Sequence, residues 1–289
     1  PDQSLLITEY GADADPRLHS FDSQRFDFTC EYALKYHHHY IPEILGTKWL
    51  AGTNIWNLND FYSEKRMNAV PRINSKGITG IDRERKDSYY LYKAWLDDGP
   101  MVRIEGHNWK TRGGTGDEAG VCTQPVEVYT NAASVELFHN GISLGEKAAE
   151  GKTAVFDVPF IDGENSLEAT AGKDGKILKD FYTVDFRMVP YDLSDRENRF
   201  MEMNVMLGTN RYFDDRTAEM VWIPEQEYRP GSWGYTGGEP YEAMTKRGHI
   251  PGTDIDVLNT DQDPIFQTQR KNIESFRADV PDGEYYVYL

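Results

Sequence analysis

The stretch Leu5-Leu6-Ile7-Thr8-Glu9-Tyr10-Gly11-Ala12 decides the fold of the first part of this chain. Apolar and β-branched residues run directly into a carboxylate, an aromatic ring and a glycine. This pattern is typical of a buried β-strand that delivers a side chain to a site at its C-terminal end. Glu9 is the side chain that would be delivered. An ordinary surface glutamate at a strand end stays an open alternative, because charged residues are usually exposed.

Alternating strands and helices continue from this stretch. The segment FDFTCEYALKYHHHYIPEIL, which begins at Phe26, predicts a helix, and Pro42 is expected to kink or end it. The spacing of four predicts that one stripe of this helix carries Phe28, Tyr32, Tyr36, Tyr40 and Ile44. Strands are predicted at 5–8 and 49–56, and a second helix at 86–95. Two strand-helix units imply a parallel sheet with helices outside, and two units cannot close a barrel.

Three further motifs follow ITEYGAD in order: GTNIWNLNDF at 52–61, NSKG at 74–77, and Asp82-Arg83. In this order and spacing they resemble the end of the catalytic barrel of glycoside hydrolase family 2. That family holds β-galactosidases, β-glucuronidases and β-mannosidases. The resemblance implies that residues 1–96 are the last two β/α units of an incomplete (β/α)8 TIM barrel.

The same resemblance assigns Glu9 as the catalytic nucleophile of a retaining glycosidase. Such enzymes need a second carboxyl group about 5–5.5 Å from the first, which protonates the leaving group. The family supplies it from an Asn-Glu pair after the fourth barrel strand, and this sequence has no counterpart. We therefore expect this chain alone to be nearly inactive.

The loop after the second strand offers substrate-binding candidates. The resemblance implies that Trp56 walls the sugar pocket, although a core tryptophan beside Trp49 and Trp95 is the alternative. Asn57, with its neighbours Asn54 and Asp60, is expected either to contact sugar hydroxyls or to shape the loop.

The triplet Asn74-Ser75-Lys76 has three interpretations. In β-glucuronidases an N-x-K triplet in this loop binds the substrate carboxylate, where Lys76 would offer a point charge and Asn74 a directed donor. Family members assigned as β-galactosidases that carry the same two appended β-domains also show N-x-K-G. A structural alternative pairs Lys76 with Asp82 or Glu84.

The predicted secondary structure changes from alternating strands and helices to short strands after Asp97-Asp98-Gly99-Pro100. Short alternating runs separated by Asn140-Gly141, Asp162-Gly163 and Asp174-Gly175 predict an immunoglobulin-like β-sandwich over 97–187. The runs are 126–129, 135–138, 154–158 and 182–186. No catalytic constellation is visible in this sandwich, so we expect a supporting role.

A polar linker is predicted at 188–199, followed by a domain at 200–289 that resembles a malectin-like carbohydrate-binding domain. The fold class is therefore an incomplete barrel with two all-β sandwich domains. The chain stops inside a predicted strand, so the last sandwich is expected to lack its later strands. Its aromatic residues could form a glycan platform or only contact the barrel; the candidates are Tyr212, Tyr228, Trp233 and Tyr235.

The amino-acid composition limits the classes of molecule that this chain is expected to bind. Thirty-one Lys and Arg against 48 Asp and Glu give a net charge of −17, which disfavours nucleic acid and anionic lipid. Neither a membrane span nor a signal peptide is visible. Cys30 and Cys122 fall in different predicted domains, so a disulfide is not expected. The adjacent His37-His38-His39 cannot converge on one ion from a helix, so they are not expected to bind a metal. No other ligand set can be assembled from these residues, so we predict no metal and no cofactor.

These observations favour a retaining exo-β-glycosidase of the β-galactosidase type, acting through a glycosyl-enzyme on Glu9. β-Glucuronidase is the alternative within the same chemistry, and a non-catalytic glycan-binding fragment is the alternative from another class. The expected partners are a carbohydrate substrate and a missing N-terminal part of the same protein. The family resemblance suggests a periplasmic or secreted bacterial location.

Overall fold

A computed structural model describes residues 3–66, 70–198, 201–246 and 248–289. The first segment contains two parallel-sheet strands, three short strands and two long helices. Their bounds are β1 Leu5–Tyr10, β2 Leu18–His19, α1 Cys30–Gly46, β3 Leu50–Ile55, β4 Phe61–Tyr62, β5 Ile73–Asn74 and α2 Asp87–Leu96. Both long helices and both main strands lie within two residues of their predicted positions at each end, apart from the start of α1.

Strands β1 and β3 form a parallel pair, from Leu5 opposite Leu50 to Tyr10 opposite Ile55. Each is followed by a helix, so two strand-helix units are present. The prediction that β1 is buried is wrong for the described residues, because Leu5 and Leu6 are 49% and 54% exposed. The strand has a single hydrogen-bonded neighbour in the part of the chain that the structure describes. Whether these units belong to an incomplete barrel stays a prediction.

Helix α1 begins where Thr29 accepts a hydrogen bond from the Tyr32 amide, which satisfies one free donor of the first turn. Pro42 lies inside this helix, which continues to Gly46, so the proline does not end it. The predicted stripe is present in the helix from Tyr32 to Ile44, whereas Phe28 precedes the helix. The helix buries a different face. That face consists of Ala33, Leu34, His37 and Ile41.

Two packed β-sheets follow. The five-stranded sheet has the order β10-β9-β12-β13-β7 and the three-stranded sheet the order β11-β8-β6. The strands are β6 Val102–Ile104, β7 Thr111–Thr115, β8 Cys122–Thr130, β9 Ser134–His139, β10 Ile142–Ala148, β11 Thr153–Phe160, β12 Gly163–Lys173 and β13 Lys176–Val189. Sixteen buried residues, including Val128, Phe156 and Leu167, form the core between them.

All four predicted alternating runs lie in these strands. Asn140-Gly141 and Asp174-Gly175 close two-residue hairpins, because His139 pairs with Ile142 and Lys173 with Lys176. All four turn residues have positive φ, as this type of hairpin requires. Asp162-Gly163 instead lies where the chain passes from one sheet to the other. The immunoglobulin-like assignment itself stays a prediction.

The last segment is built from short strands and one short helix. They are β14 Asn204–Met206, β15 Tyr212–Asp215, β16 Met220–Pro224, β17 Trp233–Thr236, β18 Glu239–Pro240, β19 Glu242–Thr245, β20 Gly248–Pro251, α3 Asp263–Phe266, β21 Arg270–Lys271 and β22 Ser275–Ala278. The strand predicted at the very end of the chain is absent, since 279–289 form no strand. The malectin-like assignment stays a prediction.

One four-stranded sheet crosses the predicted domain division. Its order is β14-β16-β15-β2, so β2 of the first segment pairs with β15 of the last. Leu18 and Phe213 are both fully buried in the core beneath this sheet. The predicted polar linker also contains the fully buried Leu193, which packs against Trp233. The division into three domains stays a prediction, and the first and last predicted domains share a core.

Within the described residues, no helix is long and apolar enough to cross a membrane.

Candidate functional site

Three sequence motifs converge at the C-terminal ends of β1 and β3. The Trp56 amide donates to the Tyr10 carbonyl at 2.7 Å, and the Asn57 amide donates to the Lys76 carbonyl at 3.1 Å. Parallel strands end at the same edge of a sheet, which explains why Tyr10 and Trp56, 46 positions apart, meet here. The E-Y-G segment, the tryptophan loop and the N-S-K triplet therefore form one cluster.

Gly11 allows this close approach. A Cβ atom added at Gly11 would lie 2.1 Å from the Trp56 carbonyl oxygen and 3.9 Å from the Lys76 Cβ. No side chain larger than hydrogen fits against that carbonyl unless the backbone moves. The glycine of the quoted stretch is thus required by packing between the two strand ends.

Glu9 is the second-to-last residue of β1 and its side chain is exposed. Its carboxylate has no hydrogen-bond or ion-pair partner among the described residues. Tyr10, its neighbour, ends the strand beside Trp56. Glu9 therefore presents an unpaired carboxylate at the edge where the three motifs meet, which suits nucleophilic attack on an electrophilic carbon.

The N-S-K triplet is held by its own loop. Asn74 is 8% exposed, and its Oδ1 accepts from the Lys76 amide at 3.3 Å. The Lys76 ammonium lies 4.0 Å from an Asp13 carboxylate oxygen and keeps a side-chain exposure of 29%. The structural alternative for Lys76 is therefore wrong about its partner, which is neither Asp82 nor Glu84.

Asp13 and Arg66 belong to this cluster, and the sequence analysis missed both. The Arg66 guanidinium donates to both Asp13 carboxylate oxygens, the longer bond measuring 3.4 Å. The Ser75 hydroxyl donates to the same carboxylate at 3.2 Å. Asp13 thus holds two cations, Arg66 and Lys76, on one side of the cluster. The position of Asp13 at the end of the ITEYGAD motif is the sequence feature that could have identified it as a site residue.

Asp60 holds the loop through buried contacts. It is 6% exposed, accepts from the Gly77 amide at 2.8 Å and pairs with the Lys86 ammonium at 2.7 Å. Burial raises the pKa of Asp60, and Lys86 opposes that shift. The loop-shaping alternative therefore fits Asp60 better than hydroxyl binding.

The indole of Trp56 is 37% exposed and meets Phe61 edge-on, with ring centroids 5.9 Å apart. The peptide bond between Trp56 and Asn57 is cis. The Asn57 amide group donates to the Asn59 carbonyl, while its Oδ1 is buried without a partner among the described residues. Trp56 is thus available as a wall of a pocket, and it is not a buried core residue in this structure.

A chain of hydrogen bonds extends from the E-Y-G segment into the helices. The Tyr10 and Tyr92 hydroxyls lie 2.9 Å apart, and the Tyr92 hydroxyl lies 3.1 Å from His37 Nδ1. Burial, with a smaller effect of His38, lowers the pKa of His37 to about 4. His37 is therefore neutral at neutral pH.

The three adjacent histidines have separate partners. His38 bonds to Glu127 at 2.9 Å and His39 meets the Tyr40 ring edge-on, whereas His37 contacts Tyr92. Among the described residues, no group of three or more His, Cys, Asp or Glu side chains has a metal-binding arrangement.

The four aromatic residues of the last segment do not form one exposed platform. Trp233 is fully buried and presents no face to a sugar. The Tyr235 ring is covered by the Arg270 guanidinium at 3.5 Å, and Tyr212 packs against Trp109. The Tyr228 hydroxyl donates to Asp279 at 2.8 Å. Trp233 is therefore not part of a glycan platform in this structure.

Comparison with known proteins gives partial matches to much longer chains. A family model described as a domain of unknown function (DUF4982) matches residues 123–179. A β-glucuronidase from Bacteroides fragilis is 31% identical over 202 residues, which are 65% of this chain and 27% of that protein. Bacteroides uniformis β-glucuronidase 2, covalently bound to cyclophellitol-6-carboxylate aziridine, superposes with a TM-score of 0.89 and 38% identity. That match covers 96% of this chain and 32% of the other.

The homologues of this chain are β-glucuronidases. The mostly β-strand chain resembles a fragment of a multidomain β-glucuronidase, and glycoside hydrolase family 2 is consistent with these relatives. It spans 16% and 27% of the length of the first two curated relatives. These relatives are β-glucuronidases, so they favour the alternative of the sequence analysis over its main expectation of β-galactoside hydrolysis.

Proposed function

We propose that this chain is the C-terminal part of a retaining β-glucuronidase, in which Glu9 is the nucleophile and Asn74 and Lys76 bind the uronate carboxylate. The observation that carries the proposal is the convergence of the E-Y-G and N-S-K motifs, both of which are hydrogen-bonded to the Trp56-Asn57 segment. The solved relative supports it as well, because its covalently bound ligand carries a 6-carboxylate.

The chemistry follows from two carboxyl groups. A Glu9 oxygen attacks the anomeric carbon, the bond from that carbon to the aglycone oxygen breaks, and a general acid gives its proton to that oxygen. Water, deprotonated by the same acid in its conjugate form, then attacks the anomeric carbon and releases Glu9. We propose that the general acid comes from a segment outside this sequence, as the relatives' greater length permits.

Charge explains the preference for a uronic acid. Asp13 carries one negative charge against the two positive charges of Arg66 and Lys76, so this side of the cluster has a net positive charge. A substrate carboxylate placed beside Lys76 gains a charge-assisted hydrogen bond. A galactoside has a neutral hydroxymethyl group at the same position and gains no ionic contribution.

Substitution of Lys76 in the complete protein that contains this chain tests the assignment. Lys76→Ala should lower kcat/KM for a chromogenic glucuronide by about 10–150-fold, since a hydrogen bond to a charged group contributes about 1.5–3 kcal/mol. Activity on the matching galactoside should change less than about threefold. Lys179→Ala is the control, because Lys179 lies on the surface of the five-stranded sheet. Equal losses on both substrates would contradict the carboxylate role of Lys76.

Covalent labelling tests the nucleophile directly. A uronic-acid-configured cyclophellitol aziridine should add one equivalent of mass to the complete protein, and peptide mapping should place it on Glu9. The Glu9→Gln variant should take up no label while keeping the melting temperature of the parent. A label found on another residue would refute Glu9 as the nucleophile.

A further inference from the structure

We infer that His37, Tyr92 and Tyr10 act together as a positioning relay that fixes the direction in which Glu9 presents its carboxylate. The inference rests on the proposed function of Glu9 and adds residues of both helices to that site. None of the three residues touches the substrate in this scheme; they act through the backbone of β1.

The relay connects three elements. Tyr10 ends β1, Tyr92 lies in the middle of α2, and His37 lies on the buried face of α1. Two hydrogen bonds, of 2.9 Å and 3.1 Å, join the three polar groups in series. The tyrosine next to the nucleophile is thus tied to both helices through a single hydroxyl, that of Tyr92.

Burial of His37 anchors the inner end of the relay. His37 is 2% exposed, and its ring meets the rings of Tyr36 and Tyr92 edge-on, each with centroids 5.3 Å apart. The neutral imidazole has one N–H and one lone pair, so it can complete the chain in either direction. Polar groups held in this way lose little freedom when the substrate binds.

The strand end is also held from its other side. Glu9 and Tyr10 are joined by one planar peptide unit, so anchoring Tyr10 restricts the backbone of Glu9 as well. The Tyr10 carbonyl accepts from the Trp56 amide at 2.7 Å, which anchors the same residue to β3. Tyr10 therefore has a fixed backbone and a fixed hydroxyl, and Glu9 takes its direction from it.

Removal of one hydroxyl tests the relay in the complete protein. Tyr92→Phe keeps the ring and deletes both hydrogen bonds; we expect kcat on a glucuronide to fall about tenfold while KM stays within about twofold. The rate constant of covalent inactivation by the aziridine should fall by the same factor. Tyr89→Phe is the matched control, because the Tyr89 hydroxyl in the same helix has no hydrogen bond among the described residues.

Two further variants separate positioning from packing. His37→Asn, which retains a donor and an acceptor, should keep kcat within about threefold of the parent, whereas His37→Leu should lose about tenfold. Tyr10→Phe removes the hydrogen bond between the Tyr10 and Tyr92 hydroxyls from the Tyr10 side. This variant takes the place of Tyr92→Phe if Tyr92→Phe fails to fold. The double variant Tyr10→Phe/Tyr92→Phe should be no slower than the slower single variant, as expected for groups that act in series.

The relay is refuted if Tyr92→Phe and Tyr10→Phe keep the parent kcat, or if they lower only the melting temperature. It is also refuted if the two losses multiply in the double variant. Failure of the proposed function gives a different result, namely a Glu9→Gln variant that still turns over or still takes the label.

Discussion

Gly11→Ala is the substitution whose effect follows most directly from the geometry. The new Cβ would lie 2.1 Å from the Trp56 carbonyl oxygen, whereas real contacts of this kind essentially never fall under 3.0 Å. The two strand ends must therefore separate by about 0.9 Å or more. Because the obstructing atom belongs to the backbone, no side-chain rotation relieves the contact.

The displacement should affect both stability and activity. Forcing one extra carbon into a packed site costs about 1–3 kcal/mol, so the melting temperature should fall by several degrees. A shift of about 1 Å near a reacting group can cost about 100-fold in rate. We expect kcat/KM on a chromogenic glucuronide to fall by about that factor, measured in the complete protein under conditions where the variant is folded.

Gly46→Ala is the matched control. Gly46 is the last residue of α1, and a Cβ added there meets nothing within 4 Å. Its stability and kinetics should equal those of the parent within experimental error. If Gly11→Ala matches the parent in both melting temperature and kcat/KM, the packing argument for the E-Y-G segment is refuted.

Three further predictions concern stability. Burial, followed by the charge of Glu127, raises the pKa of Glu105 well above its usual value, so the free energy of unfolding falls as pH rises above 4.5. Glu105→Gln should therefore raise the melting temperature at pH 8 and leave it unchanged at pH 4. Equal shifts at the two pH values would contradict this prediction. The pKa of His37 is lowered from 6.5 to about 4, so protonation of His37 should lower the free energy of unfolding by about 3 kcal/mol as pH falls through that range. In urea unfolding, His37→Leu should flatten this pH dependence. His249→Ala, at an exposed position, should not. Leu18→Ala should lower the free energy of unfolding by about 2–5 kcal/mol, against about 0.5 kcal/mol or less for the exposed Leu45→Ala; equal effects would contradict the shared core.

Local patterns predicted the elements well. Strands β1 and β3, helix α2 and the two hairpins at Asn140 and Asp174 follow from runs of apolar residues, β-branched residues and turn pairs, which act within a few positions of the chain. Short-range physics was sufficient at each of these places. The E-Y-G, tryptophan and N-S-K motifs stand out instead through their resemblance to a known family.

Contacts between distant positions were not predictable in the same way. The aromatic spacing of α1 indicated a helix but not the face that meets α2, and Tyr40 turned out 40% exposed. The partnership of Asp13 with Arg66 spans 53 residues, and that of Tyr10 with Tyr92 spans 82. Trp233 shares a buried cluster with Leu193, which lies in a stretch whose polar composition predicts a linker. Such contacts arise from tertiary packing, and the periodicity of apolar residues along the sequence does not encode them.

The strand shared between β2 and β15 limits how this protein can be divided. Arg211, 3% exposed, reaches across the same junction and donates to the Asp27 carbonyl at 3.2 Å. Excision of the last segment would remove strand β15, which pairs with Leu18 and His19, and would expose the buried Leu18 side chain to water. The last segment and residues 15–29 therefore form one structural unit, so any division of the chain has to keep them together.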